Sequence, residues 1–305
     1  MTRSRILATV AVLLLATVGV SVGRAHLDQS VPRTSSVYVD FTSSWWQMSS
    51  SDPGFQLAID GSPVEIVRTV RGPHPLAAVM LFDVSGSLSE LDSRFEPAGA
   101  LDVEQAAKRF ASVARPDDQL RIGTVGTKIA IGSPLLTDPK SASKAASEIR
   151  QRGGPSPIWD AMDRSLAVLA NQPGLHAILI HTDGQASGND IGADEILTRA
   201  LKAGVVISAV GVSDRGLPYW RQSSAIQIVG RNDWLLRLVE QTGGSYFELK
   251  EPKDLPVEYF VSILDRLRKA YRLDFASPVR DGRLHEVSVT AGGRPARTPK
   301  FIAYR

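Results

Sequence analysis

The 305-residue sequence contains no cysteine, which excludes disulfide-stapled scaffolds, thiolate zinc sites, cysteine nucleophiles and a lipidated N-terminal cysteine. Histidine is scarce: His26, His74, His176, His181 and His285 are scattered, and neither an H-E-x-x-H motif nor a Walker A loop occurs. Neither sign of charge is in excess. The formal net charge of +3 is accounted for by Arg3, Arg5 and Arg24, in an opening stretch with no acid, so the remainder balances 32 basic against 32 acidic residues. No Lys/Arg stripe is interleaved with aromatics, so nucleic acid is not an expected partner. Beyond residue 25 no apolar run is long enough to span a bilayer. The whole chain is 43% hydrophobic, with a length that suits one large domain or two modest ones. Disorder and collagen are excluded as well.

The first 25 residues read as an export segment: a basic start, an apolar run from Ile6 to Val22, and small residues at Gly23-Arg24-Ala25 where a signal peptidase would cut. As a helix the run would measure roughly 26 Å, slightly short for a ~30 Å hydrocarbon core. Two readings stand, a cleaved signal and an uncleaved membrane anchor. Either predicts an extracytoplasmic chain, secreted or periplasmic, with the membrane touched only through this segment.

Residues 26–35 form a polar linker, and 36–73 are β-rich. Phe55, Leu57 and Ile59 alternate up to Asp60-Gly61, and Val64, Ile66 and the stretch to Val70 continue beyond it as a hairpin. Residues 270–305 repeat the style, with strands expected over Tyr271 to Phe275, Leu284 to Ala291 and Thr298 to Tyr304, and pack with 36–73. Between them, over 74–269, the period changes. Apolar runs at Leu76 to Phe82, Leu120 to Val125, Ala177 to Ile180 and Val205 to Val212 alternate with amphipathic helical patterns. The helices fall near Val103 to Ala114, Ser141 to Gln151, Ile158 to Ala170, Ala193 to Ala203, Trp234 to Thr242 and Leu255 to Lys269. Strands apolar on both faces and separated by helices predict an α/β fold, a doubly wound, mostly parallel sheet covered on both sides. A small β-sandwich built from the two flanking segments accompanies it.

Open α/β sheets bind ligands at the carboxyl ends of their strands. The first central strand runs into Asp83-Val84-Ser85-Gly86-Ser87, which offers one carboxylate and two hydroxyls at every second position. A later strand ends His181-Thr182-Asp183-Gly184, a second carboxylate at the same edge. Between them Gly153-Gly154-Pro155-Ser156-Pro157 delivers Ser156 just before a helix. Asp83, Ser85, Ser87, Ser156 and Asp183 supply hard oxygens with only two formal charges, a donor set for a small divalent cation. Hydroxyls outnumber carboxylates, so the ion stays electrophilic, and an acidic side chain from a protein partner is the natural sixth ligand. Each part alone has a plainer meaning: a Ser/Gly turn after a strand, a Thr-Asp-Gly turn, a serine capping a helix. Their order and placement at strand ends favour the metal.

These three parts resemble the metal-ion-dependent adhesion site of von Willebrand factor type A domains, over roughly residues 76 to 250. The flanks Ala58-Ile59-Asp60-Gly61 and Leu267 to Leu273 resemble exported bacterial proteins that carry a related domain. The resemblance implies a Rossmann-like fold of sheet order 3-2-1-4-5-6 and metal-dependent protein binding, without catalysis. It implies that Ser85 and Ser87 bind the cation directly, that Asp83 does so directly or through water, and that Asp183 acts through water. Mg²⁺ is the expected ion, with Mn²⁺ or Ca²⁺ as substitutes. Ser156 stands where the family usually has threonine; it keeps the hydroxyl and loses the methyl that limits its rotamers, while Pro155 and Pro157 restore rigidity.

Other features of the sequence carry less. Asp160 is a second-sphere group or a helix-start carboxylate. His181 is more simply a packed strand residue than a ligand. In the insertion Ser213 to Gly230, Tyr219-Trp220-Arg221 either rims the metal edge as a partner contact or has Trp220 pinning the loop. Trp45-Trp46 suit local packing. A G-x-S-x-G match at Gly19 to Gly23 lies in the export segment, and an S-x-x-K match at Ser141 lies in a helix without its companion motifs. The rival functions are a metal-dependent hydrolase, which lacks an evident nucleophile and general base, and a structural envelope protein with a vestigial metal site.

Overall fold

A computed structural model describes residues 34–40, 54–86, 103–151, 153–212, 233–249, 256–277 and 281–304. The expected export segment, Trp45-Trp46, Ser87 and Tyr219-Trp220-Arg221 lie outside the described residues.

Three antiparallel pairings open the described part of the chain. Strand β1 (Thr34–Val39) pairs with a much later strand, and β2 (Phe55–Ile59) turns at Asp60-Gly61 into β3 (Ser62–Val64). The hairpin expected to continue to Val70 stops there. β4 (Ile66–Arg71) crosses into the other sheet and pairs with β11 (Tyr271–Ala276), whose opposite edge is β1. The physical reason is that β3 is three residues long and Pro63 has no N–H for a ladder, so the strand cannot grow inward. The second sheet is completed by β12 (Leu284–Ala291), β13 (Arg294–Pro295) and β14 (Phe301–Ala303). Val37, Val39, Leu273 and Phe275 of one sheet face Leu57, Ile59, Val287 and Val289 of the other, a closed apolar filling that makes this the β-sandwich the flanks predicted.

One polar cluster marks the sandwich surface. His285 Nδ1 lies 2.7 Å from Asp60 Oδ2 and its Nε2 3.0 Å from Asp281 Oδ1, with the Tyr304 ring 4.4 Å away. The bond to Asp60, then that to Asp281, raises the imidazole above its usual pKa. The His285 bond lowers Asp60; a backbone N–H from Arg283, then His285, lowers Asp281. The raised histidine contributes stability that is fully present below about pH 6.5 and is lost as pH rises through its folded pKa. The lowered carboxylates contribute above about pH 4, and that part is lost as pH falls through their folded pKa values. The stability difference between the unaltered chain and His285→Gln is therefore expected to peak between these limits. A flat difference in urea unfolding from pH 4 to 9 would refute the assignment.

The central sheet is built from β5 (Leu76–Asp83), β6 (Gln119–Val125), β7 (Ile129–Ile131), β8 (Leu175–Thr182), β9 (Val205–Val212) and β10 (Tyr246–Leu249). Their order is β10-β9-β8-β5-β6-β7, which numbered within the sheet reads 3-2-1-4-5-6 from the β7 edge. All neighbours are parallel except β6 and β7. This is the Rossmann-like order that the resemblance to von Willebrand factor type A domains implied. β5 is buried along its whole length because helices cover both its faces. Leu76, Ala78, Met80 and Phe82 meet α1 (Val103–Val113), α2 (Pro139–Ile149) and α6 (Pro256–Arg268), where Phe82, Phe110 and Phe260 pack together. Ala77, Val79 and Leu81 meet α3 (Ile158–Leu169), α4 (Ala193–Ala203) and α5 (Asp233–Gln241). Helix α2 starts at Pro139, two residues before the expected Ser141, because Asp138 caps it by accepting from Ser141 N and proline suits the first turn.

The sandwich attaches at the amino ends of the parallel strands. Gly72 N donates to Ala270 O and His74 N to Arg268 O, joining β4–β5 to α6–β11, while Lys300 N donates to Gln241 O at the end of α5. The carboxyl ends of β5, β8 and β9 therefore lie at the edge away from the sandwich.

Candidate metal centre

At that edge β5 delivers Asp83 on the face it shares with Val79 and Leu81, and the adjacent β8 delivers Thr182 on the same face. Asp83 is 3% exposed. Its Oδ2 accepts from Ser156 Oγ at 2.7 Å and from Thr182 Oγ1 at 2.7 Å, and its Oδ1 accepts from Ser85 N at 3.0 Å. The three bonds described for this carboxylate thus come from neutral groups. Ser85 and Ser156 are buried, and so is Asp183, whose Oδ1 accepts from Gln185 N at 2.9 Å.

The loop carrying Ser156 is held from three sides. Gly153 N donates to Val84 O, Gly86 N to Gly154 O, and Thr127 N to Gly153 O. Gly154 has φ +89°, and a Cβ there would sit 2.6 Å from Thr127 Oγ1 and 2.7 Å from Thr127 N, so only glycine lets the loop pass this close. Gln151 locks the next layer, donating to Thr124 Oγ1 at 2.9 Å and to Lys128 O while accepting from Lys128 N.

The structure therefore brings Asp83, Ser85 and Ser156 together, with Asp183 immediately after Thr182 on the neighbouring strand. Ser156 does not cap the helix after it; its hydroxyl is turned to Asp83, and α3 has no side-chain cap at Pro157. Asp160 lies in the first turn of α3, as a helix-start carboxylate would, and it accepts from the backbone N–H groups of Asp190 and Ile191. Thr182 is the residue the sequence reading passed over, and its signal lay in the same Thr-Asp-Gly run. His181 is a half-buried strand residue 6.3 Å from the Phe82 ring, its pKa pushed down to about 4 by burial against the opposing pull of Asp83.

Two carboxylates and the hydroxyls of Ser85, Ser156 and Thr182 are hard oxygens, the donor class that Mg²⁺, Mn²⁺ and Ca²⁺ select. Adjacent ligands of an octahedral Mg²⁺ with ~2.1 Å bonds lie about 3.0 Å apart, close to the 2.7 Å between Asp83 Oδ2 and Ser156 Oγ. The residues fit such an ion. Among the described residues no group of three or more histidines and acids is arranged to hold a metal ion, so hydroxyls have to supply the balance of any shell.

No protein-family model and no curated protein matches the sequence. Solved structures do. The conserved hypothetical protein BatB from Bacteroides thetaiotaomicron is 17% identical, over 64% of this chain and 99% of its own, with a TM-score of 0.43. A von Willebrand factor type A structure from Catenulispora acidiphila is 11% identical, over 90% of this chain and 74% of its own, with a TM-score of 0.47. Proximal thread matrix protein 1 from the mussel byssus, with a zinc-occupied MIDAS motif, is 15% identical over 69% of this chain and 50% of its own, also at 0.47.

Proposed function

We propose that the chain is an exported, non-catalytic protein-binding module that meets its partner through a divalent cation. Asp83, Ser85, Ser87, Ser156 and Asp183 hold the ion, with Thr182 orienting Asp83. A carboxylate of the partner fills the position left open. The observation that carries this reading is the buried Asp83 carboxylate ringed by hydroxyls at the carboxyl edge of the sheet. Such a ring leaves bound Mg²⁺ short of negative charge and therefore attractive to an external acid.

Export rests on residues 1–25. Among the described residues no helix is long and apolar enough to cross a membrane. Tyr219, Trp220 and Arg221 remain the proposed rim, because β9 ends at the same edge as Asp83 and Asp183 and they follow it in sequence.

Melting in Mg²⁺ or Mn²⁺ against chelator tests the site, and capture from an envelope extract under the same two conditions tests the partner. Metal is expected to raise the melting temperature, chelator to abolish capture, and Asp183→Ala to behave as the chelated chain. Generic phosphate esters are expected to remain intact. Superimposable melting curves together with chelator-insensitive capture would overturn the proposal.

A further inference from the structure

Helix α3 begins one residue after Pro157, which gives it no side-chain cap; Ile158 N turns back to Ser156 O, and this leaves the amides of Trp159 and Asp160. They are satisfied from another loop. Asn189, six residues beyond Asp183, offers Oδ1 to Trp159 N at 2.8 Å and to Asp160 N at 3.4 Å. The exchange is returned, since the Asp160 carboxylate accepts from Asp190 N at 2.9 Å and from Ile191 N at 3.2 Å. A second reciprocal pair lies closer to the site: Ser187 Oγ accepts from Ser156 N at 2.9 Å, and Ser187 N donates to Ser156 O at 2.9 Å. Gly188, at φ +68°, brings this segment against Pro155, where a Cβ would lie 3.2 Å from the proline ring.

The arrangement works as a capping box divided between two segments: one side chain caps the helix start, and a carboxylate from that start answers the amides of the capping segment. Its consequence reaches the hydroxyl. Ser156 lacks the methyl that would restrict a threonine, yet both its N–H and its C=O are held by Ser187, so its backbone is fixed and Oγ is delivered to Asp83. The loop bearing Ser156 and the loop bearing Asp183 are thereby stitched into one unit.

We propose that Asn189, assisted by Ser187 and Asp160, is a positioning residue of the cation site. It sets the affinity for the ion without contacting it, by capping α3 from outside and locking the two ligand loops together. This rests on the cation reading above. Groups that orient metal ligands from behind typically change affinity by about 10- to 100-fold when removed, and a helix cap supplies the same directional restraint.

The test is Mn²⁺ titration of the full chain, by calorimetry, in the unaltered protein and in Asn189→Ala, Asn189→Asp and Ser187→Ala. Asn189→Ala and Ser187→Ala are expected to weaken Mn²⁺ binding by about tenfold or more, and Asn189→Asp, which keeps the acceptor oxygen, to restore it. Ser187→Ala carries the test if Asn189→Ala does not fold. Lower melting temperatures with unchanged Mn²⁺ affinity in both alanine variants would reduce these residues to a structural role and overturn this inference alone. No Mn²⁺ binding by the unaltered chain would overturn the cation reading and this inference with it.

Discussion

Asp83→Asn is expected to abolish the Mg²⁺-induced rise in melting temperature while leaving the metal-free chain as stable as before, within about 1 kcal/mol. The substitution keeps the shape of a side chain that is 3% exposed and packed between two strands. Ser156 and Thr182 both donate to Oδ2, and a hydroxyl can turn to accept from an amide instead. Ser85 N keeps its acceptor at Oδ1. What disappears is the negative charge, which a cation needs and the metal-free fold does not. With Mg²⁺ at a hundred times its dissociation constant, the unaltered chain gains about 2.7 kcal/mol. At ~2–4 °C per kcal/mol for a domain of this size, that is a rise of roughly 5–10 °C. Differential scanning calorimetry in Mg²⁺ and in chelator reads both quantities. A variant that still responds to Mg²⁺, or that loses several kcal/mol without it, would show that Asp83 serves the fold and not an ion.

The largest loss of stability is expected at the opposite edge of the sheet. Arg268, 4% exposed at the side chain, pairs with the fully buried Asp118 and also donates to Val113 O at 3.0 Å. Asp118 does more than balance this charge: it accepts from Leu76 N and from Arg115 N, both at 3.0 Å, and so anchors the start of β5 and the turn before β6. Asp118→Ala strands a guanidinium in the interior, a change that costs about 3–5 kcal/mol, or a fall of roughly 6–20 °C in melting temperature. Asp118→Ala combined with Arg268→Met removes both charges and is expected to recover part of that loss, since apolar replacements of buried pairs are often tolerated. Urea unfolding of the single and double variants measures the difference. A double variant no more stable than the single one would mean that the bonds to Leu76 and Arg115, not the uncompensated charge, account for the damage. In neither variant should the response to Mg²⁺ change.

The long elements were legible because burial on both faces leaves an unbroken apolar run. Leu76 to Phe82 shows it, Val205 to Val212 shows it apart from Ser208, and the α3 pattern shows the three- and four-residue spacing of a covered helix. β7 and β10 were missed, since three or four residues carry no measurable period. The turn of β4 away from β3 was hidden for a different reason: alternation says that a strand has an inner face but not which sheet it joins. Three described residues of the candidate site were readable because their chemistry is concentrated in short runs at strand ends, Asp83 with Ser85, and Asp183. Ser156 was readable with its loop, although the partner of its hydroxyl was not. Asn189 and Ser187 escaped because their hydrogen bonds reach about thirty residues back along the chain, and nothing local in an Ala-Ser-Gly-Asn-Asp run signals such a reach.

The pairing of β1 with β11 carries a mechanical consequence. Thr34 lies opposite Ala276, at the end of β11 remote from the α/β body, while Val39 lies opposite Tyr271, where α6 hands over to the sandwich. Tension applied through the residues before Thr34 and resisted by a ligand at Asp83 would pull these two strands lengthwise in opposite directions. The six registered positions from Thr34 to Val39 would then bear the load in shear, all at once, instead of peeling apart one after another.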